Sequence, residues 1–304
     1  MGGNEIVLLI DARIEESEKV AAGLSVLEPP SIGGHQAIFV EPSPGGNTLR
    51  VKIVDITARR FTTMCGGMTQ VLGHALLESS IAGQLNIRMD SPTSRVVLRT
   101  DAGEVPIIIE HDGSRVHKVM TDMDAFVQEC YSVGVREMAL AGVRVNQVGR
   151  FVVLNDEDVD RHVCNMRSTE HAVARMDLQS RVLDEFDKRA LLAHDVVNSA
   201  LYDLRPACPL HAGRVTFPHR VPVSPIEPVC GTGIVTIGIA MVERGEIEAD
   251  AGELKLLFEA GDSSGAVGGP ELTELLITVS KERVTHASFS HDVVEVLAIG
   301  DVLL

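Results

Sequence analysis

Tryptophan is absent from this sequence of 304 residues, and tyrosine occurs only twice. With so few aromatics the chain has little to stack on bases, which argues against single-stranded nucleic acid as a ligand. Positive charge is also scarce, and the net charge of −16 disfavours polyanions and anionic membrane surfaces as partners. An acidic substrate would have to be held locally, by helix N-termini or a few arginines. Six lysines are present, none in a phosphate-loop context, and there is no Walker-type or dinucleotide fingerprint, so nothing signals pyridoxal phosphate or a nucleotide cofactor. Metal-ligand spacing is missing too: His211 and His219 flank a Gly-Arg-Val strand without a third partner. The N-terminal apolar run, residues 6–10, stops at Asp11 and is too short for a signal segment or a membrane span, which predicts a cytoplasmic protein. The five cysteines, Cys65, Cys130, Cys164, Cys208 and Cys230, form no pairing or zinc pattern and read as reduced thiols.

Two of those cysteines stand in matching surroundings. Cys65 and Cys230 each open a stretch with Gly next, Gly at the ninth position, Ala at the eleventh and Glu at the fourteenth. Each stretch reads as a Gly-rich turn leading into an apolar helix. The thiol then sits where unpaired backbone N–H groups and the helix dipole favour an anion, a position that lowers a thiol's pKa. Taken alone, either Cys-Gly would be an ordinary buried cysteine; the shared context argues for a working pair. Moving a proton at a carbon next to a carboxylate needs a base and an acid, and two such thiols supply both. The turn amides of Gly66, Gly67, Gly231, Thr232 and Gly233 are candidates for holding the carboxylate and the charge that develops on it. Cys130, Cys164 and Cys208 lack this context and read as structural.

On these residues the chain resembles the diaminopimelate epimerase superfamily, which includes proline racemases and 2-methylaconitate isomerases. Cys230-Gly231-Thr232-Gly233 matches the second Cys-Gly-X-Gly signature, whereas Gly67 and Met68 replace the Asn and second Gly of the first. The resemblance implies an α+β fold of two pseudo-symmetric domains, each a mixed or antiparallel sheet wrapped around a central helix, with the active site in the cleft between them. It also implies catalysis without cofactor or metal on a small-molecule carboxylate, and it leaves room for a homodimer. By its place before a strand, His35 falls where these epimerases carry a substrate-facing turn. Thr62 and Thr63, just before Cys65, are further candidates to touch substrate. The segment 222–229 lacks the Glu-Arg-Gly element of the amino-acid epimerases: Glu227 is there, but the nearest arginine is Arg220, which weakens bidentate recognition of an α-amino acid.

The remaining pattern predicts strands over 5–10, 36–40, 49–55, 95–100 and 105–109, with a short helix within 14–23 and a short apolar segment at 85–89. Asp101-Ala102-Gly103-Glu104 and Asp250-Ala251-Gly252-Glu253 open apolar runs downstream of the two cysteine helices and read as a second repeated element. The glycines Gly34 and Gly149, each before an apolar strand, read as a third. An amphipathic helix is expected over 181–204, as an insertion in the second half. Domains are expected at 1–140 and 141–304, with the tail from 271 closing the second and packing back on the first. The leading function is a racemase or epimerase using Cys65 and Cys230. The alternatives are an allylic isomerase of the 2-methylaconitate type, and a silent carboxylate-binding homologue.

Overall fold

A computed structural model describes residues 5–10, 14–56, 58–79, 81–159, 172–189, 191, 198–206, 208–218, 226–227, 230–248, 252–260, 271–292 and 294. The chain forms two compact units, one of residues 4–122 with 290–304 and one of residues 123–289 with 1–3.

The first unit runs β1 (Ile6–Ile10), α1 (Lys19–Leu27), β2 (Gln36–Pro42), β3 (Thr48–Asp55), β4 (Arg60–Thr62), α2 (Gly66–Glu78), β5 (Thr93–Thr100), β6 (Gly103–His111) and β7 (Val116–Asp122). Its sheet has the order β1-β2-β3-β5-β6-β7, with β4 also on β3. The pairs β1/β2 and β3/β5 are parallel and the others antiparallel. Strand β2 shows why the unbroken apolar run 37–40 suits this place. Ile38 and Val40 pack with Met68, Leu72 and Leu76 of α2, while Ala37 and Phe39 pack with Val26 and Leu27 of α1. Side chains alternate across a strand, so a sheet covered on both faces needs apolar residues at every position. The strand expected over 49–55 is β3, and its side chains alternate, with Leu49, Val51 and Ile53 in the α2 cluster and Val54 on the α1 side.

The second unit runs α3 (Asp124–Val133), β8 (Val135–Leu140), β9 (Val143–Val148), β10 (Phe151–Asn155), α4 (Ala172–Lys188), β11 (Asn198–Asp203), β12 (Gly213–Pro218), β13 (Ile226–Glu227), α5 (Gly231–Glu243), β14 (Gly252–Ala260), β15 (Leu272–Ser280) and β16 (Arg283–His291), whose last two residues group with the first unit. Its strand order is β16-β15-β14-β12-β11-β10-β9-β8, with β13 also on β12. α4 covers one cluster with Leu178, Val182, Leu183 and Phe186, and α5 is buried almost all round, as expected of a helix at the centre of a core.

The two units share one topology. Elements β1-α1-β2-β3-β4-α2-β5-β6-β7 correspond to β10-α4-β11-β12-β13-α5-β14-β15-β16, with the same parallel and antiparallel pairs wherever both are defined. The fold is therefore α+β with a repeat, and four readings from the sequence change. The helix expected over 181–204 starts earlier and stops at Lys188, and Asn198–Asp203 is a strand. Ser199 through Asp203 are buried at every position, which a strand covered on both faces requires and a helix stripe does not. That helix is also no insertion, since α1 is its counterpart. The Asp-Ala-Gly-Glu echo joins non-equivalent strands, because Gly103 opens β6 whereas Gly252 opens β14, the counterpart of β5 in the repeat. Likewise Gly34 precedes β2, but Gly149 precedes β10, the counterpart of β1 in the repeat. Residues 85–89 form no strand; Leu85 and Ile87 are buried in the link between α2 and β5.

The reading of domains at 1–140 and 141–304 leaves α3 and β8 with the first half; here they group with the second. The N–H of Met123 donates to the carbonyl of Ala287 (2.9 Å), and Asp124 Oδ1 accepts the N–H of Ala287 (3.1 Å). Among the described residues no helix is long and apolar enough to cross a membrane.

Candidate functional site

Both cysteines are N-cap residues. Cys65 caps α2 with extended backbone (φ −140°, ψ 124°), and Cys230 caps α5 in nearly the same conformation (φ −131°, ψ 113°). Neither helix has an acidic residue in its first turn or a side chain capping it. The first N–H groups of a helix have no intrahelical acceptor, so the amides of Gly66, Gly67 and Met68, and of Gly231, Thr232 and Gly233, are placed to meet an anion. Cys65 is buried and Cys230 half-buried, and neither is in a disulfide.

Packing explains the glycines of the second turn. A Cβ on Gly231 would lie 2.6 Å from Cε1 of Phe289, and one on Gly233 would lie 2.6 Å from Cδ1 of Phe217. The turn is thus pressed between two aromatic rings, and only hydrogen fits at either position. Beside it, the Cys230 thiol lies 3.3 Å from Oγ1 of Thr232, close enough for a hydrogen bond in either direction. The first half has Gly67 at that place and no such hydroxyl.

The other candidates separate. Thr63 is exposed in the bend between β4 and Cys65, and Thr62 pairs with Ile53 in the sheet. His35 is tied to backbone: its Nδ1 accepts the N–H of Glu5 (3.1 Å), its own N–H donates to the Glu5 carbonyl (2.8 Å), and its carbonyl takes the N–H of Ile56 (3.0 Å). It fastens β1, β2 and the end of β3 together. Cys130 is buried on α3 beneath Gly149, and burial together with the charge of Glu129 pushes its thiol up to about 12. His211 binds Glu259 through Nδ1 (2.8 Å), and this fully buried carboxylate also accepts the N–H of Cys208 (2.8 Å) and the guanidinium of Arg214 (3.1 Å). That cluster is a compensated buried charge. Glu227 is in β13, while Arg220, His219 and Cys164 fall outside the described residues.

Sequence reasoning passed over Thr69, Gln70 and Thr121. All three are buried polar residues in the first unit, two of them on the cysteine helix. Thr69 and Gln70 stand inside the motif itself, but Thr121 joins them only through the placement of β7 against α2.

No protein-family model and no curated protein matches this sequence. Solved structures do match in fold. A hydroxyproline epimerase from Agrobacterium vitis with bound trans-4-hydroxy-L-proline aligns with a TM-score of 0.59 at 16% identity, over 91% of this chain and 78% of that one. A probable proline racemase from Agrobacterium radiobacter K84 with bound carbonate gives 0.60 at 15% identity, over 91% and 79%. A predicted epimerase from Pseudomonas aeruginosa gives 0.56 at 11% identity, over 98% and 95%. The protein therefore has the diaminopimelate epimerase-like fold that these racemase and epimerase structures share.

Proposed function

We propose that the protein is a racemase or epimerase that needs no cofactor and uses Cys65 and Cys230 as base and acid at a carbon next to a carboxylate. The observation that carries the reading is the equivalence of the two thiols. Each is the N-cap of the central helix of its own unit, at the same point of a repeated topology, with no acid in the turn that follows. Such a turn favours an anion whether that anion is a thiolate or a substrate carboxylate.

In one direction a thiolate takes the α-proton and becomes a thiol. The electron pair of the broken C–H bond moves into the carboxylate, and the turn N–H groups stabilise the enediolate-like charge. The opposing thiol gives its proton to the other face of the carbon and is left as the thiolate. In the reverse direction the roles exchange. Proline-type amino acids head the list of substrates to try, because the fold neighbours are named for proline and hydroxyproline.

The test is solvent exchange in deuterated water with L-proline, trans-4-hydroxy-L-proline and a panel of unsaturated di- and tricarboxylates, read by mass spectrometry. Label is expected in the inverted product and nearly none in recovered substrate at low conversion. Cys65→Ala and Cys230→Ala are each expected to cut turnover by about 10²–10⁴-fold. Binding without exchange would refute catalysis. Near-parent activity in either variant would refute the two-thiol mechanism, and a double-bond substrate that tolerates Cys230→Ser but not Cys65→Ser would replace it with an allylic isomerase.

A further inference from the structure

The turn that carries Cys65 is held by a chain of hydrogen bonds whose direction can be assigned. Thr69 Oγ1 donates to the carbonyl of Gly66 at 2.7 Å. The same oxygen lies 2.5 Å from Oγ1 of Thr121 in β7, and either atom could donate. A hydroxyl has one proton, and that of Thr69 is already spent on Gly66, so Thr121 must donate to Thr69. Thr121 in turn accepts from Nε2 of Gln70 at 2.8 Å. The orientation of the Gln70 amide agrees, because its Oε1 accepts the N–H of His291 at 3.2 Å. The chain thus runs one way: His291 N–H to Gln70, Gln70 to Thr121, Thr121 to Thr69, and Thr69 to the Gly66 carbonyl. Thr69, Gln70 and Thr121 are each about 1% exposed or less, so water does not compete for these groups. Chains of buried hydrogen bonds polarise one another along their length.

The end point gives the chain its meaning. The carbonyl of Gly66 and the N–H of Gly67 belong to one planar peptide unit. Fixing and polarising the oxygen therefore fixes the direction of the Gly67 N–H and strengthens it as a donor. In the second unit Thr236 makes a similar bond to the carbonyl of Gly233 (2.7 Å), but the N–H sharing that peptide belongs to Ile234 and is already given to the Cys230 carbonyl (2.8 Å). There the bond only reinforces the helix.

We propose that Thr121, acting through Thr69, is a positioning residue that aims and strengthens the Gly67 N–H for the anion held at the Cys65 turn. The inference rests on the proposed carboxylate chemistry for what that anion is, but its test does not need turnover. Each variant is alkylated with iodoacetamide across a pH series, and Cys65 and Cys230 are quantified as separate peptides. Thr121→Val keeps the shape and removes the hydroxyl. It is expected to move the Cys65 profile up by about half to one pH unit, or about 3–10-fold slower labelling at neutral pH, and to leave Cys230 unchanged. Thr121→Ser keeps the hydroxyl and restores the parent profile. Thr69→Val removes the last link of the chain and gives the same shift should Thr121→Val fold poorly. Equal behaviour of the Val and Ser variants at position 121, or a joint shift of both cysteines, overturns the inference. A Cys65 shift in a protein that isomerises nothing keeps the inference and removes the function proposed above.

Discussion

The ninth position of the cysteine motif offers a comparison within one molecule. Gly73 and Gly238 are equivalent in sequence and in topology, yet a Cβ meets different neighbours at each. At Gly73 it would lie 2.6 and 2.7 Å from the two methyls of Val119 and 3.3 Å from its Cβ. Valine has one stiff torsion, and Val119 is fully buried on β7, so it cannot swing clear. At Gly238 the close atom is Cδ2 of Leu275 at 2.9 Å, the far end of a longer side chain, and the next contact is at 3.8 Å. Overpacking costs about 1–3 kcal/mol, and Gly→Ala in a helix returns up to about 1 kcal/mol. Gly73→Ala should therefore lose about 1–2 kcal/mol, whereas Gly238→Ala should stay within about 0.5 kcal/mol of the parent or gain slightly. At about 2–4 °C per kcal/mol, calorimetry would show a fall of about 2–8 °C for the first variant and little change for the second. Val119→Ala lowers stability by itself but makes room, so adding Gly73→Ala to it should cost nothing further. Equal melting of the two alanine variants, or a Gly73→Ala cost that persists without Val119, would refute the reasoning.

Thr232→Val removes the hydroxyl beside the Cys230 thiol; the alkylation profile of Cys230 should move to higher pH while that of Cys65 stays, as read by peptide-resolved labelling. Cys130, pushed up to about 12 by burial and by Glu129, should remain unlabelled at pH 8 in the native protein and label fully once the chain is unfolded. His291 is held neutral because desolvation lowers it from 6.5 to about 3. As pH falls below 6.5 the unfolded chain takes up this proton and the native one does not, so native stability should drop by up to about 1.4 kcal/mol per pH unit toward pH 3. Urea titrations of the parent and His291→Gln should differ by that slope, and parallel pH curves would show that the imidazole is not desolvated.

The cysteine turns and central helices were legible because their geometry narrows the choice of residue. The turn at Gly231 has an aromatic ring where a side chain would go, and the helix at Gly73 passes too close to Val119 of the sheet for a Cβ, so glycine is required at both places. Strands such as β2 and β3 were legible from their apolar runs. The two other echoes misled for a physical reason. Gly103 (φ 119°), Gly149 (φ 57°) and Gly252 (φ 71°) all have positive φ, a conformation that any tight entry into a strand can call for, so a glycine there marks a turn and says nothing about which strand follows. The helix expected over 181–204 ran on because the apolar residues at 190, 193, 197 and 201 continue its stripe at helical spacing, and only the partners β10 and β12 make 198–203 a strand. Thr121 could not be read at all, since a threonine in a strand has many uses.

What recurs between the halves and what does not divides along the same line. A sheet face asks only for apolar side chains of suitable size, which many sequences supply, so β1 to β7 and β10 to β16 keep a topology with little common sequence. Bracing a turn can also be done in more than one way. β7 reaches the Cys65 turn with a hydroxyl, Thr121, that feeds a hydrogen-bond chain, whereas the equivalent strand β16 reaches the Cys230 turn with the ring of Phe289 packed on Gly231. The first device depends on every donor having its acceptor, because a buried hydroxyl left unpaired costs about 1–3 kcal/mol. The second depends on volume alone. Exchanging them is therefore not neutral: a phenylalanine at 121 would leave Thr69 Oγ1 without its donor and Gln70 Nε2 without its acceptor, and a threonine at 289 would leave a void beside α5. The pseudo-symmetry of this fold is thus a symmetry of backbone paths, while the side chains that hold each thiol in place are particular to its own half.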